Sequence, residues 1–536
     1  MKKGVLVKME WIVLKEEKGK YILVSKSNIK KKDFGILPKG SYLTGDLDSG
    51  AKVIFRVDSS GQHEKYSPSP MIADLELGAL KADKKSLNQI KAIPVGFSKQ
   101  RQDGLIDHIP PLTICRRSTN QEINKALNSS SSGPPIFLAT LQSSQSQILV
   151  DNELKPVFVN MSDDIFFHQM IVCGKTGQGK TVALKYLAQH FVEKLKDDDG
   201  RDLPGAVLAV NVKEKDFLEM HRESTKVDND IRKEWEILGE NAHGVTNNIV
   251  YYPSTAQRRT DTDAEMEPIK IDITTIDPDA LAGLISHLSP RALDILPNIF
   301  RWWREDYPDR PNDYRMIDFV DYFNRAEQNQ YFFMIKNLIG QELEFNLNPQ
   351  TYKNIQSHLT SSTLYFDDEN ANSIDASDIL QSRQMTIIDS VPGQGSEKFA
   401  SVLLRDLLRQ ILNFKRNPPE GQDDIPILII IDEVHQFYAT ESSREALASL
   451  TEICKIGRSK KIGIIFSSQL PSDIPKGLVD VVNTKIFFKT NSDNVKKYGY
   501  TAIETEMLKK GYALAEIHEL SQAKLIKFPL SYAGVV

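Results

Sequence analysis

The stretch His168-Gln-Met-Ile-Val-Cys-Gly-Lys-Thr-Gly-Gln-Gly-Lys-Thr-Val-Ala-Leu-Lys-Tyr-Leu-Ala188 contains the pattern G-x-x-x-x-G-K-[ST] at residues 174–181. Residues 170–173 predict a short buried strand before the loop. Apolar residues then recur at helical spacing to Leu195. A loop between a strand and a helix start turns backbone N–H groups and the positive end of a helix dipole towards a phosphate. The sequence therefore predicts a phosphate-binding loop within an α/β domain.

The loop side chains have separate expected roles. Lys180 is expected to reach the β- and γ-phosphates of ATP, and the Thr181 hydroxyl to ligate Mg²⁺. A glycine-rich turn before an ordinary helix is the alternative, and it is disfavoured because strand, loop and helix all fall where phosphate binding needs them. The residues expected to contact the nucleotide are Gly174, Lys175, Thr176, Gly177, Gln178, Gly179, Lys180, Thr181 and Val182.

Composition describes a globular chain of 536 residues, 40% hydrophobic and 26% charged, which suggests about two to four domains. No apolar run approaches the roughly 18 residues of a membrane span, and the start lacks the apolar core of a secretory signal. Cys115, Cys173 and Cys454 lack paired spacing, which favours a reducing compartment over a disulfide framework or a zinc site. We expect a cytoplasmic protein with no membrane partner.

Charge is unevenly distributed along the chain. The net charge of −5 neither indicates nor excludes nucleic-acid binding. Residues 1–40 hold eleven lysines against four acidic residues, a net charge of +7. This segment fits a basic arm that contacts nucleic acid or an acidic partner. It fits equally well solvated edge-strand lysines that prevent aggregation, so both interpretations stay open.

Patterns elsewhere predict the other layers of the fold. Residues 1–155 contain short β-rich runs separated by turn signals such as 48–50 and 59–61, which predicts a small barrel or sandwich. The continuous apolar run at 206–210 predicts a parallel strand covered on both faces. Residues 277–380 predict helices, with Ser289 as a capping residue.

The predicted helical region is rich in aromatic residues. Amphipathic helices are expected around Phe319, Tyr322 and Phe323, and again over Phe332, Phe333, Ile335 and Leu338. Trp302 and Trp303 fit base stacking. At this spacing they fit helix core better, and the sequence leaves both alternatives open.

A second half of a nucleotide site is predicted at residues 425–433, the most apolar run in the chain, which ends in Asp432 and Glu433. A buried strand of this kind is typical of a Walker B strand. Asp432 is expected to hold the Mg²⁺ shell, usually through water. Glu433 is expected to orient and polarise the attacking water as a general base.

Two further residues are candidates for catalysis. Gln469 follows the strand predicted at 462–466 and is expected to hydrogen-bond the γ-phosphate and the water; a polar turn residue is the alternative. Arg458 lies in a predicted basic loop, 455–461, and fits a finger inserted into a neighbouring subunit's site. The alternatives are that Arg458 contacts a nucleic-acid phosphate, or that it lies in a solvated loop.

At these residues the chain resembles HerA-type ATPases of the HerA/FtsK superfamily. The matching pieces are His168 ahead of the phosphate loop, the strand end from Asp432 to His435, and the segments 457–460 and 468–472. The resemblance covers roughly residues 130–536, and more weakly the N-terminal region. It implies an α/β fold: a RecA-like P-loop NTPase core with an N-terminal small β-barrel and a helical insertion.

The domain organisation implied by the resemblance has five parts. They are an N-terminal β-barrel-like assembly domain, 1–155; the first part of the RecA-like ATPase core, 156–276; the helical insertion, 277–380; the second part of the core, 381–500; and a C-terminal tail, 501–536.

The resemblance also implies a function. It implies a homo-hexamer with ATP between subunits, DNA in the central pore and a separately encoded effector, such as a NurA-like nuclease or a sirtuin-type NADase. Such systems act in DNA processing or in defence against phage. Site roles carry over as nucleotide binding at 174–181, Mg²⁺ at Asp432, catalysis at Glu433, γ-phosphate sensing at Gln469 and a finger acting in trans at Arg458. Asn211 stands where many relatives carry aspartate, and no role is assigned to it.

Two hypotheses follow. The leading one is an ATP-driven DNA translocase or helicase whose pore contacts come from Lys213, Lys215 and residues 455–461. The alternative is an ATP-gated scaffold that assembles and activates a partner enzyme with little translocation. A conjugation or packaging motor is a weaker option, because no membrane-anchoring segment supports it. The nucleotide motifs do not choose between the first two.

Overall fold

The structure is a computed structural model of the chain. It describes residues 10–25, 37–63, 87–97, 108–142, 145–213, 215, 217–285, 287–390, 396–418, 424–434, 443–474, 476–490, 493–498, 500–520 and 524–536. Half of the basic N-terminal segment, residues 1–9 and 26–36, and also His435 lie outside these residues. Among the residues described, no helix combines the length and the apolar character needed to cross a membrane.

The strands are β1 Trp11–Glu17, β2 Lys20–Ser25, β3 Tyr42–Asp46, β4 Lys52–His63, β5 Leu87–Phe97, β6 Ile114–Arg117, β7 Pro135–Gln142, β8 Gln145–Ile148, β9 Phe158–Asn160, β10 Met170–Cys173, β11 Ala206–Asn211, β12 Asn248–Pro253, β13 Met266–Lys270, β14 Phe332–Lys336, β15 Glu342–Asn346, β16 Asn372–Ser373, β17 Met385–Asp389, β18 Ile427–Ile431, β19 Ile462–Ser468, β20 Thr484–Phe487, β21 Tyr512–Glu516 and β22 Lys524–Lys527.

The α-helices are α1 Asn120–Ala126, α2 Lys180–Lys194, α3 Asn229–Leu238, α4 Pro278–Leu284, α5 Pro290–Asp306, α6 Met316–Arg325, α7 Pro349–Leu359, α8 Ala376–Ile379, α9 Ser396–Arg416, α10 Ser443–Lys460, α11 Lys476–Val481 and α12 Ala502–Glu506. Short 3₁₀ helices cover Asp163–His168, Ala326–Asn329, Thr360–Tyr365, Pro471–Asp473 and Asp493–Tyr498.

The chain forms two compact units. The first contains Met1–Ile165, Val172–Ala183 and Asn483–Leu530; the second contains Phe166–Ile171, Leu184–Val482 and Ser531–Val536. Strand β10 and helix α2 each contain residues of both units. The five predicted domain ranges stay predictions.

The first unit contains a closed antiparallel barrel with strand order β1-β2-β5-β4-β3-β6. Its interior is apolar, with Trp11, Leu43 and Phe55 each 0% exposed. Closure removes the unpaired strand edges of an open sheet. The barrel that the sequence predicts is therefore confirmed, and the sandwich is not formed.

One turn predicted within the barrel is wrong. Residues 59–61 lie inside β4, where Ser59, Ser60 and Gly61 pair with β5. The register shifts between Val57 and Ser59, as at a β-bulge. A bulge accommodates an irregular residue without ending the strand, so small polar residues here do not produce a turn.

The rest of the first unit is an antiparallel layer with the order β20-β21-β22-β7-β8, and β9 also pairs with β7. Strands β21 and β22 come from residues predicted as the C-terminal tail, 501–536. They place the chain after residue 500 within a sheet.

The second unit is a parallel-rich sheet with the order β16-β13-β12-β17-β11-β18-β19, and β10 follows β19. The pairs from β16 to β19 are all parallel. Every residue of β11, β17, β18 and β19 is buried. Strands covered on both faces explain the continuous apolar runs of the sequence.

The predicted helical insertion is mostly helical, with α4 to α8, but it also contains the antiparallel hairpin β14–β15. The amphipathic helix expected over Phe332, Phe333, Ile335 and Leu338 is therefore wrong. Phe333 and Ile335 are buried and Phe332 is exposed, which is the two-residue period of a strand. At the turn, Asn337 Oδ1 accepts the N–H groups of Ile339 and Gln341, which stabilises the reversal against a helix.

Trp303 lies in the core of this region. It is 1% exposed, and its ring lies 5.1 Å from that of Phe319 and 5.2 Å from that of Tyr314. Trp302 is half-buried and lies 5.8 Å from the Tyr307 ring. These contacts place Trp303 in the helix core, which was one of the two readings left open.

The first unit also buries a lysine, which predicts a pH-dependent stability. Burial, and to a smaller extent Arg56, lowers the pKa of Lys524 to about 7. Between that value and the ordinary lysine pKa, the unfolded chain holds a proton that the folded chain lacks, so stability should rise with pH by up to about 1.4 kcal/mol per pH unit. Urea unfolding at pH 7.5 and pH 9.5 measures this.

The matched variant is Lys524→Met, which keeps an apolar stem and removes the titrating group. Its urea unfolding midpoint should be higher than that of the wild type at pH 7.5, and the difference between the two midpoints should be smaller at pH 9.5. An equal difference at both pH values would contradict the prediction.

Candidate functional site

The phosphate loop lies between β10 and α2, where the sequence predicts it. Gly174 has a φ of 154°, and a Cβ atom there would lie 2.6 Å from Cβ of Phe488. Gly179 has a φ of 107°, which L side chains rarely adopt. A side chain at residue 174 would therefore force the loop away from the chain at residue 488.

Partners far away in sequence hold this loop. The N–H of Lys175 donates to the carbonyl of Lys489 at 2.9 Å, and the N–H of Gly511 donates to the carbonyl of Gln178 at 2.9 Å. The Lys175 ammonium lies 3.3 Å from Glu506. These partners carry no motif of their own, so no local signal could have identified them.

Lys180 opens α2 and is only 4% exposed. Its Nζ donates to the carbonyl oxygen of Gly174 at 2.6 Å, so the ammonium is folded back over the loop. A buried ammonium over a glycine-rich loop suits a phosphate oxygen, because a charge-assisted hydrogen bond is stronger than a neutral one. Thr181, the next residue, is half-buried.

The predicted acids follow β18 directly. Asp432 is 2% exposed and Glu433 is 1% exposed. The Glu433 N–H donates to Oδ1 of Asp432 at 2.9 Å. Glu433 has a φ of 46°, in the left-handed region that costs a non-glycine residue conformational energy. The chain thus turns sharply at the strand end with both carboxylates inside the protein.

Parallel pairing brings other polar residues to the same edge of the sheet. Asn211 ends β11 opposite Asp389 of β17, and its Nδ2 donates to Oδ1 of Asp389 at 2.8 Å. Asn211 Oδ1 accepts the N–H of Phe217 at 3.2 Å. Asn211, to which the sequence assigned no role, therefore anchors the loop that follows β11.

Lys213 lies in that loop and forms an ion pair with Glu433. The Lys213 side chain is 30% exposed, whereas that of Glu433 is 1% exposed. Lys213 was predicted as a candidate DNA contact, and its link to the predicted base was missed. No local signal could have identified this link, because it depends on β11 and β18 becoming neighbours in the sheet.

Gln469 follows β19 and is exposed. The turn after it is stabilised by Asp473, whose Oδ2 accepts the hydroxyl of Ser468 at 2.8 Å and the N–H of Leu470 at 2.9 Å. Since β19 pairs in parallel with β18, Gln469 follows a strand end at the same edge of the sheet as Asp432.

Arg458 lies elsewhere. The predicted basic loop is wrong in its conformation, because α10 continues to Lys460 and Arg458 is in its last turn. The carbonyl of Lys461 accepts the N–H of Ile427 at 3.0 Å, which places this helix end beside the start of β18, not its end. Arg458 is exposed, and within this unit it is not brought together with Asp432 and Glu433.

Gly457 lies inside α10, where there is no space for a side chain. A Cβ atom there would lie 2.4 Å from the carbonyl oxygen of Ile462 and 2.5 Å from Nε2 of Gln169. Gln169 is buried, and its Oε1 accepts the N–H of Ile464 at 2.7 Å. The glycine therefore allows close packing of the helix against Ile462 and Gln169.

The thiol of Cys454 on the same helix is mostly buried, which raises its pKa to about 12.

The fold and the phosphate loop define the class of this protein. A mixed α/β architecture with a parallel-rich sheet, a closed N-terminal barrel and a G-x-x-x-x-G-K-T loop is that of a RecA-like P-loop NTPase. Residues 393–490 match the family model described as "Helicase HerA-like C-terminal". This match confirms the HerA-type resemblance over residues 393–490.

One similar solved structure is VirB4 of Thermoanaerobacter pseudethanolicus, which is 14% identical in sequence. The alignment covers 74% of this chain and 97% of that chain, with a TM-score of 0.43. The plasmid coupling protein TrwB in complex with the GTP analogue GDPNP has 11% identity, covers 78% and 94% of the two chains and has a TM-score of 0.44. With TM-scores below 0.5, these likenesses carry no functional argument. None of the curated proteins matches the chain.

The loop geometry predicts unequal effects of two glycine substitutions. Gly174→Ala should weaken ATP binding severely, because the new Cβ would overlap Phe488. Gly177→Ala is the matched control: Gly177 has a φ of 75° but open space around it, so alanine there costs only backbone strain of about 1–2 kcal/mol. Titration with a fluorescent ATP analogue compares the two. Equal losses of affinity would contradict a steric role for Gly174.

Proposed function

We propose that the chain is an ATPase in which the phosphate loop and the acids after β18 act on one nucleotide. The observation that carries the proposal is the pair of buried carboxylates, Asp432 and Glu433, at the end of a parallel strand in a chain that also holds the phosphate loop. In α/β sheets, ligands bind at the carboxyl ends of the parallel strands.

In the proposed reaction, water attacks the γ-phosphorus of ATP and the bond to the ADP oxygen breaks. Glu433 accepts the proton of the water, and Lys180 binds the β- and γ-phosphate oxygens. Gln469 hydrogen-bonds the γ-phosphate. The left-handed backbone of Glu433 supports a functional assignment, because strained residues persist where their position is needed.

The residues fit Mg²⁺ as a cofactor. The proposed ligands, the Thr181 hydroxyl and the Asp432 carboxylate, are hard oxygen donors, which Mg²⁺ prefers over nitrogen or sulfur. The bound ion would neutralise charge on the phosphate oxygens. The burial of Asp432 suits a carboxylate kept for a cation rather than for solvent.

The wider proposal is a hexameric DNA translocase or helicase. It is supported by the HerA-like segment at residues 393–490. DNA would pass through the pore, and a separately encoded effector, a NurA-like nuclease or a sirtuin-type NADase, would act with the ring in DNA processing or defence against phage. The proposed contacts to DNA phosphates are Lys213, Lys215, Lys455, Lys460 and Lys461.

Two substitutions test the nucleotide site separately. Lys180→Ala should weaken ATP binding roughly 10- to 100-fold, since it removes a charge-assisted hydrogen bond. Glu433→Gln should bind ATP normally and hydrolyse it about 10²- to 10⁴-fold more slowly, because the amide cannot accept the proton. Calorimetric binding and phosphate release distinguish the two. Rapid hydrolysis by Glu433→Gln would show that another group is the base.

DNA dependence separates the motor from the scaffold. A motor should hydrolyse ATP faster with DNA, and its DNA binding should weaken steeply as salt rises, because phosphate contacts release counterions. The isolated chain should also displace a strand from a duplex. Turnover that ignores DNA and rises only with a partner enzyme would favour the ATP-gated scaffold.

A mixing experiment tests Arg458. The end of α10 lies beside the start of β18, so in the proposal Arg458 acts on a neighbouring subunit's nucleotide. Arg458→Ala alone should lose about 10³- to 10⁵-fold in turnover. Mixed with Lys180→Ala subunits, it should regain part of the activity, because some interfaces then combine an intact loop with an intact arginine. Mixtures with no more activity than either variant would exclude action in trans.

A further inference from the structure

We propose that Lys213 restrains the general base: its ammonium holds the carboxylate of Glu433, and a phosphate that binds Lys213 releases that carboxylate for hydrolysis. This inference rests on the proposed ATPase function and adds a regulatory residue to it. Lys213 is a positioning residue in this scheme, because it acts through Glu433 and not on the water.

Strand pairing makes the contact a consequence of the fold. Strands β11 and β18 are parallel neighbours with Val210 opposite Ile431. The chain therefore leaves both strands at the same edge of the sheet, with Lys213 and Glu433 each two or three residues beyond this pair. Their ion pair needs no long excursion of either segment.

The loop that carries Lys213 is fixed at its base. The N–H and the hydroxyl of Ser390 donate to the carbonyl of Asn211 at 2.8 and 2.9 Å, and the side chain of Asn211 binds Asp389 and the N–H of Phe217. Phe217 is fully buried. Hydrogen bonds thus hold the chain on both sides of Lys213, at Asn211 and at Phe217.

Accessibility differs between the two partners. The Lys213 side chain is 30% exposed and that of Glu433 is 1% exposed, so Lys213 is the partner that an anion in solvent can approach. Phosphate oxygens compete for a lysine ammonium. Two sources offer this chemistry, a DNA backbone phosphate and the γ-phosphate of ATP, and both would withdraw Lys213 from Glu433.

The test measures ATP turnover by the full chain, with and without a linear DNA duplex, in Lys213→Met and the wild type. Turnover of Lys213→Met without DNA should rise about 5- to 150-fold, the usual range of coupling between sites. Lys213→Arg keeps the cation and should restore the low rate. Lys233→Met is the matched control, because Lys233 is 70% exposed and pairs only weakly, at 3.6 Å, with Asp230 on α3.

The turnover rates and KM values of these proteins identify which phosphate withdraws Lys213 from Glu433. If DNA is the source, DNA should stimulate the wild type, Lys213→Met should gain nothing further from DNA, and its KM for ATP should stay unchanged. If ATP is the source, its γ-phosphate withdraws Lys213 in only part of the ATP-bound molecules, so the wild type should ignore DNA, and Lys213→Met should raise both the turnover rate and the KM for ATP. Either pattern supports the restraint.

Unchanged or lower turnover in a Lys213→Met chain that still binds an ATP analogue would overturn the inference. Removing the cation leaves a buried carboxylate, so Lys213→Gln, which keeps a hydrogen-bond donor, replaces it if Lys213→Met does not fold; the same outcomes apply. Glu433→Gln is assayed in parallel. If it hydrolyses ATP normally, the proposed base is wrong; if it is inactive and Lys213→Met is unchanged, only the restraint is wrong.

Discussion

The parallel pairing of β18 with β11 on one side and β19 on the other is the constraint on which the second unit depends. The register sets Val210, Ile431 and Phe466 side by side, so the three strands end within two residues of one another. Each strand interior is apolar and buried, and polar residues begin at the strand ends, with Asn211 in β11 and Ser467 in β19. The sheet thereby concentrates its carboxylates and amides at one edge. The same hydrogen bonds that stabilise the fold decide which side chains meet there.

Local patterns were sufficient for the parts of the site that lie on one element. The strand Met170–Cys173, the helix start at Lys180 and the strand before Asp432 were all predicted, because buried strands and a glycine-rich loop leave a strong local signal. Contacts across the chain leave no such signal. The bonds from residues 489 and 511 to the phosphate loop, and the pair between Lys213 and Glu433, depend on which strands become neighbours.

Two errors have specific physical causes. Residues 455–461 were predicted as a basic loop, but the helix continues to Lys460. Glycine disfavours helix, yet at Gly457 the carbonyl of Ile462 leaves no room for a side chain, and packing overrides propensity. Around Phe332 the apolar spacing predicted a helix. The hydrogen bonds of Asn337 at the turn favoured the hairpin. In both places a tertiary or turn contact overrode the local pattern.

The charged residues at the strand ends, Lys213 and Glu433, lower the stability of the fold, and this cost indicates why they are present. Taking the Glu433 carboxylate out of water loses solvation that its attraction to the half-buried Lys213 ammonium only partly returns, so this ion pair is weak evidence for stabilisation. The left-handed backbone at Glu433 adds a further unfavourable contribution. An apolar pair would fill the same space without the cost of desolvation. Because the chain keeps charges at this position, and reaches them through a strained turn, the arrangement is better explained by chemistry at the strand ends than by folding.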